Sequence, residues 1–200
     1  MFSIPIVAVV LGYIWIVELV APRWTRPAPV VIVLGLAIWR ALKNREWGFR
    51  RSAFLPALGW AAAFTTAGAV VIYLAGSRLD TLGESRNGAD LWRRLIVLIP
   101  WAMGQQFALQ AVVLRESQEA ASRRGGIVLA AALFGILHLP NLFLASVTSI
   151  AALAWCWIYN RHPNLIPLAL SHALLTLAIL YALNAAVSLQ IGAAYLRSTA

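Results

Sequence analysis

Seven long apolar runs constrain this chain more than any other feature. They lie roughly at 4–21, 28–42, 53–76, 91–114, 126–143, 145–159 and 164–188, and the connections between them are short. About twenty apolar residues wound as an α-helix cross a hydrocarbon core about 30 Å thick. A helix also satisfies its own backbone hydrogen bonds where no water can do so. The expected fold is all-α: a polytopic transmembrane helical bundle of about seven spans, forming one integral membrane domain over 1–200. Composition agrees, with 62% of the 200 residues apolar, 12% charged and a mean hydropathy of +0.79. Soluble chains carry about a quarter charged residues. A single water-soluble core would leave the excess apolar surface facing water.

The charge is strongly basic, with 16 Lys and Arg against 7 Asp and Glu, for a net +9. In a soluble domain such a balance points to nucleic acid. Here the basic residues sit between apolar runs, as the rule for cytoplasmic loops expects, so membrane lipid is the expected partner and no nucleic acid is. Arg40, Lys43, Arg45, Arg50, Arg51, Arg115, Arg123, Arg124 and Arg161 fall on the side of the amino terminus. Arg23, Arg26, Arg78, Arg86, Arg93, Arg94 and Arg197 fall on the other. Nine against seven favours a cytoplasmic amino terminus. The second run is short, so Arg40 is expected to snorkel towards headgroups. The stretch 44–55, NREWGFRRSAFL, reads as a juxtamembrane turn whose arginines meet anionic headgroups, with substrate steering as the alternative. Glu18 is placed near the headgroups beside Arg23. The opening MFSIPIVAVV lacks the basic region of a signal peptide and reads as a retained first span. Cys156 is the lone cysteine, which excludes an intrachain disulfide and a cysteine-based zinc cluster.

Polar side chains inside spans are costly and usually face the bundle interior. Three groups occur. In the fourth run Gln105, Gln106 and Gln110 fall together, with Gln106 and Gln110 four apart on one helical face. In the fifth, Phe134 and His138 are four apart and Asn141 follows three later; Pro140 is expected to open the helix there and free a carbonyl. In the seventh, His172 and Thr176 are four apart. At about 1.5 Å per residue, Gln105, His138 and His172 all reach the middle of the bilayer. Each residue taken singly reads as packing or interhelical glue; at matched depth they outline one buried polar site.

In order and spacing these residues resemble the CPBP family (CAAX protease and bacteriocin-processing, or Abi) of intramembrane glutamate proteases. That family carries Glu-Glu-x-x-x-Arg on one helix, Phe-x-x-x-His on the next and His-x-x-x-Asn on a later one. Phe134-Gly-Ile-Leu-His138, followed by Leu-Pro-Asn, fits the second motif. Asn164-Leu-Ile-Pro167-Leu-Ala-Leu-Ser-His172 looks like the approach to the third, and WGFRRSAFLPALGW resembles the family's basic entry into an earlier span. The likeness covers roughly 46–184. It implies a membrane-embedded or lipidated peptide or protein as partner, no cofactor and no metal, and residence in the bacterial cytoplasmic membrane.

The departures are as informative as the matches. Gln105 and Gln106 stand where the family has its two glutamates, Gln110 where it has arginine, and Thr176 where it has asparagine. The family's first glutamate is understood to activate a water, with histidines and asparagine orienting it or holding the oxyanion. A buried carboxylate can act as that base; a carboxamide only donates and accepts hydrogen bonds. The changes extend beyond the acids, so they read as natural divergence rather than an engineered trap. A guanidinium left without its carboxylate partner would be expensive to bury. The resemblance thus implies an endopeptidase-type fold with an impaired, glutamate-less site at Gln105, Gln106, Gln110, His138, Asn141, His172 and Thr176, which binds or processes a peptide. Any surviving chemistry would need His138 or His172 as base. The alternative is a non-catalytic scaffold that binds a partner. Two histidines with carboxamides make a poor zinc site, and no inverted repeat marks a transporter.

Overall fold

A computed structural model describes residues 2–22, 24, 27–82, 88–183 and 186–199. Arg23, Arg26 and Arg86, which enter the loop-charge argument, lie outside the described residues. Each of the seven apolar runs forms a helix. These are α1 (Ser3–Val20), α2 (Pro27–Asn44), α3 (Phe54–Arg78), α4, α5 (Arg123–Ile136), α6 (Leu142–Arg161) and α7 (Leu165–Ala182). Helix α4 runs from Gly88–Phe107 through a π-helical segment, Ala108–Leu114, into Arg115–Ala120. A short α8 (Gly192–Thr199) follows the last apolar run. The described residues contain no strand, only an isolated bridge between Phe49 and Asn164. By length and composition α1, α3, α4, α6 and α7 can each cross a membrane. Leu55, Val71, Ile96, Val97 and Leu142 are exposed on helix exteriors, as contact with lipid requires.

The fourth helix runs on to Ala120 rather than ending at 114, and two runs end as helices well short of expectation. The fifth run ends as a helix at Ile136, not at 143, and Leu137 to Pro140 form a turn. A residue before proline is pushed out of the helical region, so Leu139 cannot continue the helix into Pro140. The seventh helix stops at Ala182 rather than 188.

The chain divides into two compact units. The first comprises Met1–Gly48, Phe107–Trp157 and Ser188–Ala200, the second Phe49–Gln106 and Ile158–Val187. In the first, Gly126 brings α5 against the end of α4, where a Cβ would lie 2.6 Å from the Gln118 backbone. Gly135 likewise lets α5 approach α6 at Ala145 and Ser149. Gly192, with φ of 56°, sits against the carbonyl of Ile14 and joins α8 to α1.

The second unit is built on α3 and α7, which run parallel. At their starts, Arg50 N–H donates to the Pro163 carbonyl (3.0 Å) and Asn164 Nδ2 donates to the Arg50 carbonyl (3.1 Å). At their ends, Thr81 Oγ1 donates to the Ala182 carbonyl (2.8 Å), and Gly76 lies against that same carbonyl. Between them Ala57 and Ala61 are buried, the Thr65 and Ser171 hydroxyls lie 2.7 Å apart, and Gly68 faces Leu175. Small residues let helix backbones approach closely where lipid gives no hydrophobic drive to associate. The stretch 44–55 therefore does more than turn the chain: its Phe49–Arg50 backbone is stitched to the entrance of α7.

Candidate active site

In the second unit, α4 and α7 bring two of the expected residues together. Gln106 is fully buried, and its Nε2 lies 3.4 Å from Nδ1 of His172, itself 8% exposed. An amide NH₂ only donates, so Nδ1 is the acceptor and the neutral ring carries its proton on Nε2. Asn164 caps α7 by accepting from Ile166 N–H (3.1 Å). Pro167 falls in the first turn, where its missing N–H costs nothing. This cap fixes where α7 begins and so where His172 stands, with Ser171 tied to Thr65 beside it. Gln105, on α4, and Thr176, one turn beyond His172, are half-buried.

The first unit holds Gln110, His138 and Asn141. Gln110 is fully buried in the π-helical segment and hydrogen-bonds the thiol of buried Cys156 on α6. Gln106, just before the π-helical segment, engages His172, and Gln110, within it, engages Cys156.

His138 lies on the turn after α5, not in a helix. Its Nδ1 is 2.7 Å from the Phe134 carbonyl, and the two rings meet edge-on at 5.1 Å. A carbonyl only accepts, so Nδ1 carries the proton and Nε2 keeps the basic lone pair. The Phe-x-x-x-His spacing thus selects the tautomer as well as packing the ring. Two of the turn's carbonyls are occupied as well: His138 O accepts from Asn141 N–H (3.2 Å) and Leu139 O from Gly192 N–H (3.0 Å).

Asn141 is engaged at both ends of its amide. Oδ1 accepts from Leu144 N–H (3.0 Å), capping α6, while Nδ2 donates to the carbonyls of Ser188 (2.7 Å) and Gln190 (3.1 Å). In this structure it anchors the approach to α8 and starts α6.

A further polar cluster in the first unit has no counterpart in the sequence motifs. Arg40 does not snorkel; it is 3% exposed and donates from Nη1 to the Ala111 carbonyl within the π-helical segment. Its Nε lies 3.8 Å from Oε1 of Glu116, which is 4% exposed. Glu116 in turn accepts from Phe2 N–H (2.6 Å), Ser3 N–H (2.9 Å) and Ser3 Oγ (2.6 Å). The carboxylate thereby occupies the amino end of α1, where free amides and the helix dipole favour negative charge. Glu46 bridges Arg40 (3.5 Å) and Arg115 (3.3 Å). No local pattern announces this cluster, because Arg40 and Glu116 belong to helices far apart in sequence and are joined only by packing.

Among the described residues, no three His, Cys, Asp or Glu side chains gather to hold a metal. No curated protein and no solved structure matches the chain. Residues 87–178, a little under half of it, match the family model of the type II CAAX prenyl endopeptidases, Rce1-like. The match runs through the glutamine, Phe-x-x-x-His and His172 segments alike, and it supports the likeness of this chain to the CPBP family.

Proposed function

We propose that this is a CPBP-like intramembrane protein whose glutamate-less site binds a membrane-embedded or lipidated peptide and does not cleave it by the family's glutamate mechanism. The observation that carries this reading is the neutral pair Gln106–His172. The family's second glutamate would stand at this position, and here a carboxamide hands its N–H to an imidazole. Water activation needs a group that takes a proton near neutral pH, and neither Gln105 nor Gln106 is one. What the pair offers instead is hydrogen bonding: His172 Nε2–H as donor to a peptide carbonyl, with Thr176 one turn away. His138 is the remaining base, through Nε2. The Gln110 amide replaces a guanidinium and keeps its surroundings neutral. In this reading the amino terminus faces the cytoplasm.

The test uses purified protein in liposomes with a prenylated peptide bearing a photocrosslinker. Crosslinking without cleavage is the expected result, reduced in His172→Ala. Cleavage by the unmodified protein that disappears in His138→Ala but persists in Gln105→Ala would overturn it and assign a histidine base. Converting Gln105 and Gln106 to Glu together with Gln110→Arg is expected to produce cleavage, since it restores the family's complement of acid and guanidinium.

A further inference from the structure

The second unit carries its charge very unevenly. At the end where α3 and α7 begin and α6 stops lie Arg50, Arg51, Arg161 and His162, with no acid in 49–79 or 158–187. The described acids of this unit, Asp80 and Asp90, are at the far end of α3 and the start of α4. Twenty-five residues of α3 separate the two ends, about 37 Å at 1.5 Å per residue. Glu46, the acid nearest in sequence to Arg50, is engaged by Arg40 and Arg115.

The basic residues are drawn from segments more than a hundred positions apart and are held together through the backbone of Arg50. The Arg50 N–H to Pro163 carbonyl bond, the Asn164 Nδ2 to Arg50 carbonyl bond and the Phe49–Asn164 bridge fix the 49–51 strip against 161–164. Because the stitch engages only the main chain of Arg50, it leaves the guanidiniums of Arg50 and Arg51 exposed, and Arg161 is exposed as well. Three membrane-crossing helices end here, α3 and α7 at their starts and α6 at its close. The cluster therefore sits at a membrane face, where Phe49, about half exposed, adds an aromatic ring suited to the interface.

We infer that the Arg50–Arg51 strip and Arg161, clasped by the Phe49–Asn164 bridge, form a binding site for the phosphate headgroup of an anionic phospholipid. Guanidiniums pair bidentately with phosphate oxygens. A phosphodiester at the interface meets them without leaving its layer. The site is independent of whatever the buried glutamines and histidines do.

The experiment measures lipid retention by native mass spectrometry after extraction from mixed phosphatidylglycerol and phosphatidylcholine membranes. The intact protein is expected to retain phosphatidylglycerol preferentially. Arg50→Gln, Arg51→Gln and Arg161→Gln should each reduce that preference about fivefold. Arg78→Gln at the far end should leave it unchanged. Asn164→Ala, which loosens the clasp but keeps every guanidinium, should weaken retention while the far-end control does not. Equal loss in Arg78→Gln, or preference unchanged in all three near-end variants, would overturn the site. Displacement of phosphatidylglycerol by inorganic phosphate alone would overturn the lipid assignment in favour of a free-phosphate site.

Discussion

The first unit ties its helices with charge: a guanidinium from α2, a carboxylate from α4 and the amide end of α1 meet where both charged side chains are almost wholly buried. The second unit brings α3 and α7 together with almost none. Its contact runs along Ala57, Ala61, Gly68 and Gly76, and its polar bonds are hydroxyl and carbonyl pairs. Both are solutions to association in lipid, where apolar surface alone does not drive helices together. The difference lies in how they fail. A buried charge deprived of its partner is penalised heavily, whereas a neutral bond lost in a close-packed seam costs little as long as the backbones still touch.

This contrast can be broken most forcefully at Glu116. Glu116→Ala should destabilise the protein by about 3–5 kcal/mol, because the Phe2 and Ser3 donors would lose their acceptor and Arg40 would keep only Glu46 and Glu119. Unfolding in bicelles measures it. The double variant Arg40→Met/Glu116→Gln should recover most of that loss; if it does not, the charges are doing something other than balancing each other. In the second unit the sensitive feature is space. Gly76→Val should cost about 1–3 kcal/mol by forcing α3 away from the Ala182 carbonyl. Loss of the Thr65 hydroxyl should be smallest: Thr65→Val is expected to cost about 0.6 kcal/mol, the usual worth of an interhelical hydrogen bond in a membrane. A Thr65 effect comparable to that of Glu116 would erase the distinction between the units.

Much of the architecture was legible because membrane helices announce themselves. All seven apolar runs became helices, and the order of Gln105–Gln106, Phe134–His138 and His172 was enough to find the CPBP resemblance that the Rce1-like match supports. What could not be read were interactions closed by tertiary packing. Arg40 looked like a residue stranded near a helix end, since nothing around it in sequence discloses Glu116. Asn141 looked like a continuation of the His138 face, although Pro140 had already ended the helix and made it a cap for the next. Gln106 and His172, by contrast, were singled out by spacing and depth as members of a larger polar group, and the pairing between them is a finding of the structure.

The π-helical segment at Ala108–Leu114 has a consequence for how this chain tolerates change. A π turn amounts to one surplus residue accommodated inside a continuous helix, which absorbs a frame-shift in the geometric sense. Deleting a single residue between Ala108 and Leu114 would let the helix relax to ordinary α geometry with every backbone bond intact. The residues on either side would keep close to their present phase, because the widened turn already takes up the extra residue. In ordinary α geometry the same deletion would turn one flank by about 100° relative to the other. The π segment is therefore where this helix can lose a residue at little geometric cost.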